Sequence, residues 1–506
     1  MLFRRNKDGV LVGRGAYLLL FALMVLAGMS SATAAGIFRV NAASASTTPD
    51  GLTWATAFKD IQAGIYAAEH SSTGGGEVWV AAGTYTNVSP NSMAVALTQK
   101  VDVYGGFAGA ETGRSQRNWA AHVTVIDGEN TSQGVTGDDD STIDGFTITR
   151  GYSSGSGGGM YNSSTTPLVA NCIFLNNRAF SGAGAMENNS ASPTVINCTF
   201  SGNQAVNDRG GAVENYLSSA TFTNCVFSGN TAQTNGGAVL DSGGAPTFTN
   251  CLFSENSAIQ GAALYNSFST ALLMNCTFSG NSVGAGASAI YNNNPGLTLT
   301  NCIAWGDAVA EITGTAAVVT YSCVQGGYTG TGNIATDPMF VSDSTPFNLK
   351  LQAGSPCIDT GTAAGAPATD LLGLSRPFGA GDDMGAYEHG AQVPTVAVPN
   401  VVGLASASAE TAITDAGLTF TVVEETSVTV PAGQVISQNP AAGTSVATGT
   451  DVTLTVSTGP TGASGCAGCQ TAQAKLTAED LKTRFGDTFL SGLSLLTLLA
   501  LRKRVM

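Results

Sequence analysis

The chain is short of charge. Only 11% of its 506 residues are Asp, Glu, Lys or Arg, against ~25% in an average soluble domain. With 43% apolar residues beside it, this is not the composition of a disordered chain. Basic residues are the scarcer sign, 20 Lys and Arg against 35 Asp and Glu, for a formal charge of -15. That disfavours nucleic acid and anionic membrane surfaces, which reward Lys and Arg. Histidine is nearly missing: His70, His122 and His389 are scattered. No cofactor or metal site is expected from such a set. The apolar runs, Leu18 to Ala27 and the 13 residues from Phe489 to Leu501, are short of the ~20 needed for a bilayer span.

Glycine, by contrast, is abundant at 64 residues, and it comes with a repeat. Asn-Cys recurs at Asn171-Cys172, Asn197-Cys198, Asn224-Cys225, Asn250-Cys251, Asn275-Cys276 and Asn301-Cys302, in steps of 26, 27, 26, 25 and 26 residues. Phe174, Phe200, Phe227, Phe253 and Phe278 follow two residues after the first five cysteines, and Asn177, Asn203, Asn230, Asn256 and Asn281 three further on. The sixth copy decays to Ala304 and Asp307. A second motif keeps the same period, from Gly158-Gly159-Met160-Tyr161-Asn162 through Gly211-Ala212-Val213-Glu214-Asn215 to Ser288-Ala289-Ile290-Tyr291-Asn292.

A period near 26 also suits leucine-rich repeats. Their Leu ladder is absent, and the short runs broken by Gly and Asn read as strands and turns. The expected class is all-β: a right-handed parallel β-helix over residues 36–392, clearest over 145–305. Equivalent residues then stack ~4.8 Å apart. Cys and Phe, two apart, share an inner face. The Asn rows belong at turns, where left-handed backbone is tolerated. Stacked Cβ atoms at that spacing stand beyond disulfide reach, so the six repeat cysteines read as buried thiols. Cys323 and Cys357, outside the row, are the disulfide candidates.

The termini carry processing signals. Arg4, Arg5, Lys7 and Arg14 precede the first apolar run, and small residues at Ser31 to Ala35 follow. Residues 1–35 read as a secretory signal peptide, which predicts export to the cell surface, outer membrane or extracellular space. After a linker at 461–488 containing Cys466 and Cys469, the apolar segment and Arg502-Lys503-Arg504 form a tail over 489–506. The tail resembles a tripartite C-terminal sorting signal, which implies that Cys466 or Cys469 is processed or lipidated and that the tail touches the membrane.

The Gly-Gly-Ala-Val and Phe-x-x-Asn pairing resembles repeats of polymorphic outer membrane proteins. The flanks, such as Val78-Trp79-Val80-Ala81-Ala82-Gly83-Thr84-Tyr85 and Ser355-Pro356-Cys357-Ile358-Asp359, are similar to bacterial pectin-lyase-like β-helix proteins. No C-terminal membrane barrel is visible, so autotransport is not expected. Residues 397–460, opening on Val398-Pro399-Asn400-Val401-Val402-Gly403-Leu404, resemble a small α+β PASTA domain. That resemblance implies contact with peptidoglycan fragments, or a spacer.

If Met160 and its equivalents point inward, Tyr161, Glu187, Glu214, Leu240, Tyr265 and Tyr291 point outward. Two Glu residues one coil apart approach the ~5–5.5 Å separation of a retaining glycosidase pair, and tyrosine rings can stack on sugars. Tyr161, Glu187, Glu214, Tyr265 and Tyr291 are therefore the ligand-binding candidates. The same row also reads as a solvated face. Asp138-Asp139-Asp140 reads as a charged turn or a calcium site. Two functions follow: a non-catalytic envelope protein for adhesion to a host or neighbouring cell or for glycan binding, and a polysaccharide lyase or hydrolase. No catalytic residue is assigned.

Overall fold

A computed structural model describes residues 36–86, 93–155, 157–284, 288–307, 310–344, 347–390 and 395–460. The signal peptide, Cys466, Cys469 and the tail lie outside the described residues. Among the described residues the chain winds into parallel sheets of eleven, ten and nine strands, with a fourth of six two-residue strands. One coil shows the pattern. Val213–Tyr216 belongs to the nine-stranded sheet, Thr221–Thr223 to the eleven-stranded sheet, Val226–Ser228 to the ten-stranded sheet and Thr231–Ala232 to the six-stranded one.

The corner between Thr223 and Val226 is made by the Asn-Cys dipeptide. Asn171, Asn197, Asn224, Asn250, Asn275 and Asn301 all have φ between 51° and 55°. Asn visits this left-handed region more readily than other side chains, which is why it recurs there. The cysteine that follows turns inward and is buried, and all six repeat cysteines are free thiols. Burial pushes the Cys198 and Cys251 thiols well up, as befits small hydrophobes rather than nucleophiles.

Stacking is in register. Phe174, Phe200, Phe227, Phe253 and Phe278 form a column with ring centroids 4.6–4.9 Å apart. Met160, Met186, Val213, Val239, Leu264 and Ile290 pair coil to coil on the nine-stranded sheet and are fully buried. Each buried Phe or Leu is worth ~2 kcal/mol of apolar transfer.

The Asn columns close the polar accounting. Asn230 Nδ2 donates to Phe200 O and Asn256 Oδ1, while its Oδ1 accepts from Asn203 N and Nδ2, all at 2.9–3.0 Å. The same staple repeats at Asn177, Asn203 and Asn256, all fully buried. Glycine is forced where coils come closest: a Cβ at Gly211 would stand 2.0 Å from Gly237 O.

The helix Ile61–Glu69, capped by Asp60 accepting from Ala63 N, buries Ile61, Ile65 and Ala68 in the interior core. On the outward face of the ten-stranded sheet, at its last strands, the hairpin of Phe340–Ser342 and Asn348–Leu351 joins Ile303, Cys323, Cys357 and Met384 in a cluster of its own. Its continuation docks on the Asn corners: Asn275 Nδ2 donates to Asp383 O at 3.0 Å and Asn301 Nδ2 to Thr362 O at 2.8 Å. Cys323 and Cys357, the disulfide candidates, are both buried here as free thiols.

Residues 395–460 carry one helix, Ser406–Asp415, the antiparallel pair Thr395–Ala397 with Ser445–Ala447, and a three-stranded sheet of Thr419–Glu425, Asp451–Ser457 and Val435–Asn439. Val398, Val401, Ile413, Val435, Val452 and Leu454 are buried. Among the described residues no helix is long and apolar enough to cross a membrane.

Candidate functional site

The outward row of the nine-stranded sheet is in register as expected: Tyr161 pairs Glu187, Glu187 pairs Glu214, Glu214 pairs Leu240, Leu240 pairs Tyr265, and Tyr265 pairs Tyr291. It is not an open face. Glu187, Glu214 and Leu240 are only 8%, 5% and 1% exposed, which corrects the expectation that they stand in solvent. The cause is the preceding turn. Gly157, Gly210, Gly236 and Gly261 all have positive φ, and a Cβ there would stand 2.9–3.3 Å from the Cβ of Glu187, Glu214, Leu240 and Tyr265 respectively. The turn therefore folds back over the base of the row.

Three members keep part of their surface. Tyr161, Tyr265 and Tyr291 are half-buried. Tyr265 and Tyr291 stack with centroids 5.0 Å apart and planes 15° from parallel. Burial raises the Tyr265 phenol, with its neighbour Tyr291 adding and Arg209 opposing. Arg209, invisible in the repeat because no other copy has it, thus joins the site. Its Nε lies 3.1 Å from Glu214 Oε1, and its side chain is 43% exposed. Burial pushes the Glu214 carboxyl up to about 7; Arg209 pulls it down, and Glu187 and Asp208 push it up.

Chemically, the group offers one exposed guanidinium, one buried acid and two phenols. That suits hydrogen bonding to hydroxyls or a carboxylate of a ligand. It does not suit glycosidic cleavage, since stacked carboxylates buried to this degree leave no room for a sugar between them.

Other candidates resolve as structure. Asp139 Oδ1 accepts from Thr166 N and Oγ1 at 2.9 and 3.0 Å, tying the acidic turn to the next coil. Among the described residues no three His, Cys, Asp or Glu side chains converge as a metal set. Arg376 and Glu388 form an ion pair at 3.4 Å with both side chains at zero exposure. Burial pushes Glu388 up to about 7, but no solvent reaches the pair.

Comparison with known proteins agrees with this architecture. A family described as "Right handed beta helix region" matches residues 204–325, and "PASTA domain" matches 396–458. A probable serine/threonine-protein kinase of Corynebacterium efficiens is 49% identical over 67 residues, covering 13% of this chain and 10% of the kinase. Probable serine/threonine-protein kinase PknB of Corynebacterium glutamicum is 41% identical over 73 residues, covering 14% and 11%. The chain thus spans about a tenth of the length of these relatives. Among solved structures, pectate lyase Pel9A covers 70% of this chain and 96% of its own at 16% identity, with TM-score 0.43. The extracellular region of the Ser/Thr kinase PrkC from Staphylococcus aureus covers 16% and 26% at 27% identity, with TM-score 0.14. The chain carries a right-handed β-helix region followed by a PASTA domain.

Proposed function

We propose that this is a cell-envelope protein that binds a glycan without cleaving it, with the β-helix as a rigid display scaffold and the PASTA domain as a contact to peptidoglycan. The observation that carries the reading is the Tyr265–Tyr291 stack on the same row as Glu214, which holds the exposed Arg209: aromatic and cationic side chains along one face of an otherwise acidic protein. Tyr161 extends the same row, while Glu214 orients Arg209 and Glu187 sets the local charge. The PASTA match and its kinase relatives support an envelope-exposed location. The basic and apolar N-terminus supports export, the repeat pattern supports surface display of the polymorphic outer membrane type, and the tail with Cys466 or Cys469 supports processing at the membrane.

The test is binding of the full chain to purified peptidoglycan and to an array of neutral and acidic polysaccharides. Tyr265→Ala, Tyr291→Ala and Arg209→Ala should each weaken retention on one polysaccharide class at least fivefold, and leave peptidoglycan binding unchanged. Equal retention by all variants sinks the site. Release of reducing ends or unsaturated products by the wild type, lost in Glu187→Ala and Glu214→Ala, would favour the alternative, a polysaccharide lyase or hydrolase.

A further inference from the structure

A buried column of side chains runs along the inner edge of the nine-stranded sheet. Asn162 Nδ2 donates to Asn188 Oδ1, Asn188 Nδ2 to Asn215 Oδ1, and Asn215 Nδ2 to Asp241 Oδ1, each at 2.8 Å. Beyond the acid, Asn266 Nδ2 donates to Asn292 Oδ1 at 2.8 Å, and Asn292 Nδ2 to Thr315 O at 2.8 Å. Every amide passes a hydrogen forward. Asp241 stands where the pattern calls for Asn, and a carboxylate has nothing to pass.

The column's first oxygen, Asn162 Oδ1, has no hydrogen-bond partner at its open end, and within the column the defect falls at one junction. Asp241 and Asn266 are register partners on adjacent strands. Asp241 Oδ2 and Asn266 Oδ1 are both buried without a hydrogen-bond partner, and both residues are fully buried. Turning the Asn266 amide over does not repair this. Its Nδ2 also donates to Ser269 O at 3.1 Å, and the flipped oxygen would face that carbonyl and Asn292 Oδ1. Turning Asn292 as well moves the clash to Thr315 O, a backbone carbonyl that cannot turn. In every arrangement the stretch from Asp241 to Thr315 is one hydrogen short.

We propose that Asp241 is carried as the neutral acid, its Oδ2–H donating to Asn266 Oδ1, so that one bound proton completes this junction and coil stacking weakens as the pH rises from acid to neutral. The surroundings agree. Its ladder neighbours Asn215 and Asn266 are neutral amides, and Glu214, one residue before Asn215, lies on the opposite face of its strand. Burial is the main cause that pushes the Asp241 carboxyl up, to about 7; the hydrogen bond from Asn215 opposes it, and no charged side chain contributes. Between the ordinary carboxylate range and that value the folded chain holds a proton that the unfolded chain has lost. Stability contributed here is full at low pH and falls as pH rises toward 7.

Asp241→Asn supplies the missing hydrogen covalently. Urea unfolding of the full-length wild type and D241N is compared from pH 4 to 9. The folding equilibrium constant of D241N relative to wild type should rise about tenfold per pH unit up to pH 7 and then level off. Other buried acids are common to both chains and cancel. A ratio independent of pH, or D241N the less stable at pH 8, overturns the proposal. Infrared spectra of wild type carrying an isotope-labelled carboxyl at position 241 alone serve if D241N does not fold. A protonated-carboxyl band at pH 6 supports the proposal, and its absence refutes it.

Discussion

Asn224 and Asn230 sit six residues apart in one coil, and the structure assigns them opposite sensitivities. Asn230 is fully buried and makes four side-chain hydrogen bonds. Truncation to Ala leaves Asn203 N and one hydrogen of Asn203 Nδ2 without an acceptor, and strips Phe200 O of a donor. Asn256 Oδ1 still accepts from Asn230 N. Two orphaned buried donors at ~1–3 kcal/mol each give a cost of about 4 kcal/mol. Asn224 makes its side-chain bonds at 3.1 and 3.2 Å near the surface, with φ 54°. Glycine adopts that φ without strain, so Asn224→Gly should cost about 1 kcal/mol or less. Urea unfolding with amide exchange read by mass spectrometry measures both. Because each coil leans on its neighbours, Asn230→Ala should lose protection over coils 200–256 first. Equal costs for the two variants, or loss of protection beginning at residues 36–107, would refute the reasoning.

Glu214→Gln should flatten the pH dependence of the thermal midpoint. Its carboxyl, raised by burial to about 7, is protonated in the fold while the unfolded chain ionises above ~4.5, so the wild type loses about 3 kcal/mol between those pH values. An unchanged slope in the variant counts against this. Gly211→Ala places a methyl 2.0 Å from Gly237 O and should abolish soluble expression or lower the midpoint by more than 10 °C. Gly229→Ala, with open space but φ 64°, should cost only about 1–2 kcal/mol. Cys323 and Cys357 share one cluster, and contact between their thiols pushes Cys323 far up. Mild oxidation followed by peptide mapping should yield a Cys323–Cys357 link and no link among the six repeat cysteines.

Much of the fold was legible because two motifs kept one period. That left a coil as the arrangement able to put Phe on Phe and Cys on Cys, and the Asn before each Cys marked the left-handed corner. The segments that pack on the coil from outside were less legible, being unique: nothing repeats in Thr362 or Asp383 to reveal that they dock on Asn301 and Asn275. The exposure of the outward row was illegible for a different reason. Strand alternation says which way Glu187 and Glu214 point, but not what lies over them. The signal was present in Gly157, Gly210, Gly236 and Gly261, whose positive φ lets the turn lie on the row.

The consequence for function is that periodicity and activity occupy different residues in such a chain. A repeat preserves whatever every coil needs: an inward Phe, a stapling Asn, a corner. A binding site needs an asymmetric group of side chains, so it must be written in departures from the repeat. Arg209 occurs in one coil, and the two phenols meet only at Tyr265 and Tyr291. Asp241 replaces the expected amide once. Substitutions at two of these departures test this division directly. Replacing Asp241 by Asn should raise stability at neutral pH, whereas Arg209→Ser should leave stability within ~0.5 kcal/mol yet weaken polysaccharide retention. If Arg209→Ser unfolds the chain, its pair with Glu214 belongs to the scaffold, and the glycan reading loses its charged anchor.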